Sequence, residues 1–142
     1  MRISRLAALA LTACFAACAG TPAPGDSGYP FNVEGPYSGT LSADGQGFRA
    51  TMNVVTDQGG VVSGTFAVTD PVALSGTLSG MLVGDQLTLS MRYGNNPLSG
   101  CSGGSVSGNL TVADGGTELG GTVTIDDCGT ILEGRTRFTR GN

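Results

Sequence analysis

The sequence predicts an all-β fold, an eight-stranded antiparallel up-and-down β-barrel that follows a cleaved signal peptide and a flexible tether. A short unit, in which apolar residues alternate with a glycine and small polar residues, recurs six times along the chain, and two degenerate copies that lack the glycine bring the number to eight. Turn-forming residues separate the copies, as is typical of strands in a sandwich or barrel. No segment of the processed chain has the apolar spacing of a helix, and the 25 glycines follow no collagen period.

The eight units predict eight strands with one apolar face each. Because side chains alternate along a strand, each repeated glycine shares a face with the apolar residues around it. In a closed barrel we expect this face to point inward, which also removes the exposed sheet edges. The units begin at Tyr37, Phe48, Val62, Leu74, Leu87, Val106, Leu119 and Leu132, and the glycines expected inside are Gly39, Gly64, Gly76, Gly108, Gly121 and Gly134.

Residues 1–17 have the form of an export signal. Arg2 and Arg5 precede an uncharged run rich in alanine and leucine, which is too short to span a bilayer as a helix. The run ends in cysteine and resembles the lipobox of bacterial lipoproteins, in which the cysteine sulfur carries diacylglycerol. Cys18 is our predicted attachment site because it gives the longer apolar run; Cys14 is the alternative, with leucine three residues before it. An ordinary secretory signal remains a further alternative.

The processed chain divides into a lipidated tether and one domain. Residues 18–34 are rich in proline, glycine and small polar residues and are predicted to form the tether, and residues 35–142 the barrel. Loss of Arg2 and Arg5 takes the net charge from −4 to −6. An acidic product argues against nucleic acid as a partner. We expect a lipid anchor in the bacterial cell membrane or outer membrane, with the domain facing the periplasm or the exterior.

Turn residues predict the register of two hairpins near the C-terminus. Asp114-Gly115 is typical of a two-residue type I′ turn, which would place Gly108 opposite Gly121. A four-residue loop over 126–129 would place Glu118 opposite Arg137 on the outer face.

The first of these registers also pairs the two remaining cysteines. It places Cys101 opposite Cys128, at one end of the barrel. An exported protein meets an oxidising compartment, so we predict a disulfide between them.

The composition excludes the common catalytic centres. Without histidine there is no Ser-His-Asp or Cys-His nucleophile and no imidazole metal ligand, and without lysine there is no Schiff base. Arg135 and Arg137 alternate outward as a candidate anion site, but a solvated strand face explains them more simply. Asp126 and Asp127 match no calcium-loop spacing and are explained by turn chemistry. We therefore expect no enzyme activity, metal or cofactor.

Three segments of the predicted barrel resemble strands of avidin and streptavidin: GPYSGTL at 35–41, GVVSGTF at 60–66 and TILEGRTRFTR at 130–140. Such glycine- and threonine-rich motifs also occur in lipocalin-like meander barrels, and the resemblance implies the fold alone. At the positions that bind biotin in that family, the polar partners are missing, and only Ser102 retains one. We therefore do not expect biotin binding. The residues of this chain at the positions that the resemblance matches to the biotin site are Leu41, Phe66, Val68, Met91, Val106, Val123 and Thr136.

Three functional interpretations follow from the predicted barrel. In the first, the tethered barrel binds a small apolar ligand in its mouth. In the second, it is a structural or protein-interaction module of the cell envelope with a filled lumen. In the third, the apolar face is outside and the barrel spans a membrane, although aromatic girdles are lacking. The first two differ in whether the lumen is filled by Leu41, Phe48, Phe66, Leu78, Leu110, Leu119 and Phe138.

Overall fold

A computed structural model describes residues 20–56 and 59–141, so that the signal peptide, Cys14 and Cys18 lie outside the described residues. It shows a closed barrel of eight antiparallel strands joined in chain order, with the last strand paired to the first. This confirms the predicted fold class. The strands are β1 (Gly35–Ala43), β2 (Gln46–Thr56), β3 (Val61–Asp70), β4 (Leu74–Val83), β5 (Gln86–Tyr93), β6 (Gly104–Ala113), β7 (Glu118–Asp127) and β8 (Thr130–Arg140).

The apolar face of every strand points into the barrel, as predicted. On β6, Val106 and Leu110 are buried, whereas Ser107 and Thr111 between and beyond them are exposed. The outer wall is thus rich in serine and threonine, the reverse of the arrangement that the membrane-barrel interpretation requires. Within the described ranges, no helix is long and apolar enough to cross a membrane.

The inward glycines allow neighbouring strands to approach more closely than a side chain would permit. A Cβ placed on Gly121 would overlap the carbonyl oxygen of Asn109, and one on Gly108 would overlap that of Thr122. The other four repeated glycines meet neighbouring carbonyl oxygens in the same way. Glycine at these positions permits the strong coiling that a small barrel needs.

The register of the β6–β7 hairpin differs by two residues from the prediction. The connection is not a two-residue turn but runs from Asp114 to Thr117 and includes a short 3-10 turn. Gly116 adopts a positive φ of 90°, as Asp114 and Gly115 before it do, so the turn extends beyond the Asp-Gly pair. Gly108 therefore faces Val123 and not Gly121. Each of the two inward glycines of this hairpin thus lies opposite a larger side chain, Gly108 opposite Val123 and Gly121 opposite Leu110, and the larger side chain occupies the space inside the barrel.

The β7–β8 hairpin is also shifted by two residues. Only Cys128 and Gly129 form its loop, and both adopt positive φ values, 54° and 88°, which suit a tight hairpin turn. Glu118 consequently faces Thr139. Arg137 is not opposite Glu118 but is its diagonal neighbour, and the two form an ion pair with Nη2 3.0 Å from the Glu118 carboxylate. Exposed pairs of this kind contribute about 0.2–1 kcal/mol.

Part of the predicted tether packs across one end of the barrel. We call this the lower end; it carries the β2–β3, β4–β5 and β6–β7 connections. Val33 is completely buried there, and the Tyr29 hydroxyl donates a hydrogen bond to the Gly84 carbonyl at 3.1 Å. Proline and glycine obscured this packing in the sequence, because no apolar periodicity marks residues 20–34.

A polar cluster joins this segment to the two strands that close the barrel. The Tyr37 hydroxyl donates to the Gly116 carbonyl at 2.6 Å. The Arg140 guanidinium donates to the Tyr37 hydroxyl at 3.0 Å and to the Asn32 carbonyl, and it lies 5.5 Å from the centroid of the Tyr37 ring. Burial raises the pKa of the Tyr37 phenol, so the hydroxyl remains a donor at neutral pH. The lower end is thereby closed.

The adjacent glycines Gly120 and Gly121 offer a matched test of the inward close approach. Gly121→Val should destabilise the barrel by about 1–3 kcal/mol or more, because the side chain meets the backbone of β6. Gly120 faces outward, with its nearest neighbour 3.6 Å from an added Cβ. Gly120→Val should be neutral or stabilising, since valine favours strands. Thermal melts of both variants check this, and equal effects would contradict the close approach.

Candidate ligand-binding cavity

The lower half of the lumen is filled with aliphatic side chains. The largest of the fully buried side chains come from six strands and from the N-terminal segment, which together surround this half. None of these side chains lines the cavity described below. The side chains are Leu82, Leu87, Leu110, Leu119, Val33, Val54 and Val62.

The upper half contains a cavity of about 160 Å³, which opens at the upper end. Its walls are apolar and come from all eight strands. Ala43, Ala50 and Thr136 are small residues at inward positions, and they leave the space that larger side chains fill below. Of the proposed lumen residues, Leu41 and Phe48 are only partly buried and line the cavity. The deeper lining includes Met52, Phe66, Val68, Met91, Val106, Val123, Ile125 and Phe138.

The positions carried over from the avidin resemblance lie around this cavity, with one exception. Seven of them line it, whereas Ser102 is exposed and lies outside the lining. Phe66 and Val68 present no polar atom, and the Thr136 hydroxyl donates to the Thr40 carbonyl at 3.0 Å. At these positions the cavity therefore lacks the polar groups that the resemblance would require for biotin binding.

A hydrogen-bonded cluster forms one side of the cavity mouth. The Tyr93 hydroxyl donates to the Asp127 carboxylate at 2.8 Å, and the Asn96 amide donates to the same carboxylate at 3.2 Å. Asp127 thus links the end of β7 to the end of β5 and to the loop that follows it. Turn chemistry was predicted for both Asp126 and Asp127, but only Asp126 takes that role, accepting a hydrogen bond from the backbone N–H of Gly129 at 2.8 Å.

Cys101 and Cys128 lie within disulfide distance beside this cluster, with sulfur atoms 2.04 Å apart. The predicted pair is therefore found, although the register that suggested it was shifted by two residues. The β5–β6 loop folds back on itself, and the backbone N–H of Asn96 donates a hydrogen bond to the Cys101 carbonyl at 2.7 Å. The Cys101–Cys128 pair and the Asp127 cluster together attach the β5–β6 loop to the β7–β8 hairpin. These contacts fix the position of one rim of the cavity mouth.

The local environment sets the protonation states of this rim. Burial raises the pKa of the Asp127 carboxyl, but hydrogen bonding from Ser99, Tyr93 and Asn96 outweighs burial and lowers the pKa below its ordinary 3.8. Burial raises the pKa of the Tyr93 phenol, and its hydrogen bond to the Asp127 carboxylate raises it further. At neutral pH the mouth therefore presents a carboxylate that accepts from a neutral phenol.

The other charged candidates lie away from the cavity. Arg137 forms an ion pair with Glu118 on the outer wall, and Arg135 is exposed on the same face of β8. Among residues 20–56 and 59–141, no three His, Cys, Asp or Glu side chains are close enough to hold a metal ion.

Comparison with known proteins found no relative of this chain. No protein-family model, no curated protein and no solved structure matches the chain. The fold is therefore that of the chain itself, a closed eight-stranded antiparallel barrel.

The Asp127 cluster predicts a loss of stability in acid. A carboxyl whose pKa is lower in the folded than in the unfolded chain stabilises the fold fully above its unfolded pKa of ~3.9, and this contribution is lost as the pH falls from there through the lower pKa of the folded state. Tyr93→Phe removes one of the hydrogen bonds to the carboxylate, costs about 1 kcal/mol at pH 7 and should weaken the dependence on acid. Melting temperatures measured from pH 7 down to about pH 2 test both effects. An unchanged pH profile would show that the bond does not stabilise the rim.

Proposed function

We propose that this protein is a membrane-tethered lipoprotein of the bacterial cell envelope whose barrel binds a small apolar ligand in its upper cavity, without catalysis. The observation that carries the proposal is the difference between the two halves of the lumen. The lower half is packed and sealed, whereas the upper half leaves 160 Å³ of apolar space that opens to solvent. A barrel with a purely structural role has no need for such a space, and this favours the ligand-binding interpretation over the filled module.

The size of the cavity limits the part of the ligand that enters it. An engineered apolar cavity of ~150 Å³ in another protein stays dry and binds benzene. A cavity of 160 Å³ therefore suits a single ring or a short branched alkyl group. A longer molecule would place one apolar end inside and the remainder in the mouth.

The polar groups at the mouth favour a particular kind of ligand. Asp44 and Asp127 are the charged residues among the described residues that line the cavity, and both are acidic. Carboxylates repel an anionic head group and attract a hydrogen-bond donor or a cation. We propose an uncharged or positively charged apolar molecule rather than a fatty acid.

The same lining supports binding without catalysis. Among the described lining residues, the hydroxyls are those of Tyr93 and Thr136, and both donate to acceptors within the protein. The Thr136 hydroxyl donates to a backbone carbonyl, which is not a base, and Tyr93 keeps its proton because the pKa of its phenol is raised while that of the neighbouring Asp127 carboxyl is lowered. We accordingly propose no cofactor and no nucleic-acid partner, and the missing polar partners argue against biotin.

A change in cavity volume tests the proposed binding site. Ala50 lies at an inward position on β2 and lines the cavity, so Ala50→Leu should fill part of the space and weaken binding of benzene or indole at least tenfold. Titration followed by NMR chemical shifts measures the affinity. The matched control is Ala67→Leu on the outer wall of β3, which adds the same volume outside the lumen.

Three outcomes of this titration are informative. Binding that Ala50→Leu weakens and Ala67→Leu preserves would support the site. Equal affinities in both variants would place the ligand elsewhere, and failure of the unaltered protein to bind any neutral or cationic ring compound would reject the proposed function.

The anchor is tested on the protein isolated from its own membrane. Mass spectrometry of the N-terminal peptide should show a diacylated Cys18, and Cys18→Ser should release the barrel from the membrane. Release by Cys14→Ser instead would move the attachment site to Cys14. An unmodified N-terminus downstream of both cysteines would reject the anchor.

A further inference from the structure

Among the described residues, six large apolar side chains are exposed, and four of them lie on the outer wall near the lower end of the barrel; the other two, Leu98 and Ile131, lie at the upper end. Val83 is the most exposed, at 69%, followed by Val61, Val55 and Met81 at 46%, 45% and 43%. We call these four residues the lower apolar patch. Exposed apolar residues scattered singly need no explanation, but a cluster on a serine- and threonine-rich wall does.

The strand register shows that the patch is continuous. Val61 on β3 is paired directly with Met81 on β4, and Val83 follows two residues later on the same face. Val55 on β2 is paired with Ser63, so it is the diagonal neighbour of Val61. The side chains therefore form one surface across three adjacent strands.

The N-terminal chain leaves the barrel at the edge of this patch. The Gly59 amide donates to the Pro24 carbonyl at 3.2 Å, and a Cβ on Gly60 would lie 3.1 Å from the Pro24 side chain. Leu82, between two patch residues, donates its amide to the Gly60 carbonyl at 2.8 Å. Pro24 thus lies at the lower rim, next to Val61 and Val83.

This exit point restricts where a lipid anchor can hold the barrel. Pro24 lies six positions after Cys18, and an extended chain of that length spans about 20 Å at most. The anchor would therefore hold the lower rim of β2–β4 close to the bilayer. The cavity mouth lies at the opposite end of the strands.

We propose that the lower apolar patch docks on the surface of the anchored protein's own bilayer, so that the cavity mouth points away from the membrane. This inference rests on the lipid anchor of the proposed function. The patch carries no basic residue, and Asp85 lies just beyond Val83, so the contact is made with the acyl and interfacial region of uncharged lipids and not with anionic head groups. The anchor confines the patch near the surface, which makes a weak apolar contact effective.

The absence of tryptophan from the chain allows a clean fluorescence test. Gln86→Trp places a reporter directly opposite Val83 without altering the patch, and Thr139→Trp places one at the lower end of β8, on the other side of the barrel. The full lipidated protein is reconstituted in phosphatidylcholine vesicles whose acyl chains carry bromine, which quenches tryptophan in contact with it. Quenching of Gln86→Trp should be about twofold or more stronger than that of Thr139→Trp.

A second variant tests the role of the patch itself. In the Gln86→Trp protein, Val61→Ser and Val83→Ser together should reduce quenching to the level of the Thr139→Trp control. These positions are exposed, so the substitutions leave the buried core intact. Equal quenching of the two reporters, or quenching that the serine substitutions do not change, would overturn the docking.

Vesicle flotation separates failure of the docking from failure of the anchor. Protein that floats with vesicles but shows equal quenching retains the anchor and loses the docking proposal. Protein that carries no lipid and does not float rejects both. A dimer in vesicle-free solution that disappears with the serine substitutions would show that a second copy covers the patch, and this result would also overturn the proposal.

Discussion

The contact between inward glycines and the backbone of the neighbouring strand determines how this barrel is built. Gly108 and Gly121 leave no room for a Cβ against the carbonyl oxygens beside them, so the strands approach closely and coil. Each glycine is paired with a larger residue, such as Val123 or Leu110, which occupies the volume that the glycine leaves. The lower lumen can thus be filled by ordinary aliphatic side chains, and the empty space is confined to the upper half.

The two ends of the barrel differ in the interactions that shape them. At the lower end, Arg140 and Tyr37 bind the N-terminal segment across the opening, and Val33 is buried beneath it. At the upper end, Asp127 and the cysteine pair hold a loop at one side of the mouth and leave the centre open. The same asymmetry places the proposed membrane contact and the proposed ligand at opposite ends, so that neither obstructs the other.

The number, direction and faces of the strands were predictable because a period of two residues is repeated in every unit. The strand registers were not predictable, because they depend on the backbone conformation of the turns. Cys128 and Gly116 adopt positive φ angles, and both hairpins have a register that differs by two residues from the predicted one. The roles of Tyr93 and Asn96 were missed, since no motif links a residue that ends one strand with an aspartate on another. The cavity also required a structure, because its volume depends on how small residues such as Ala43 and Ala50 combine across strands.

The central claim is that the lumen is packed in its lower half and accessible to apolar ligands in its upper half. Crystals of the protein equilibrated with pressurised xenon test it directly, because xenon enters dry apolar cavities and is located by its anomalous scattering. The account predicts a xenon atom in the upper half, in contact with Met91 and Val123, and none beside Leu87 or Leu110. An upper half without xenon, or a xenon atom within the lower half, would contradict it.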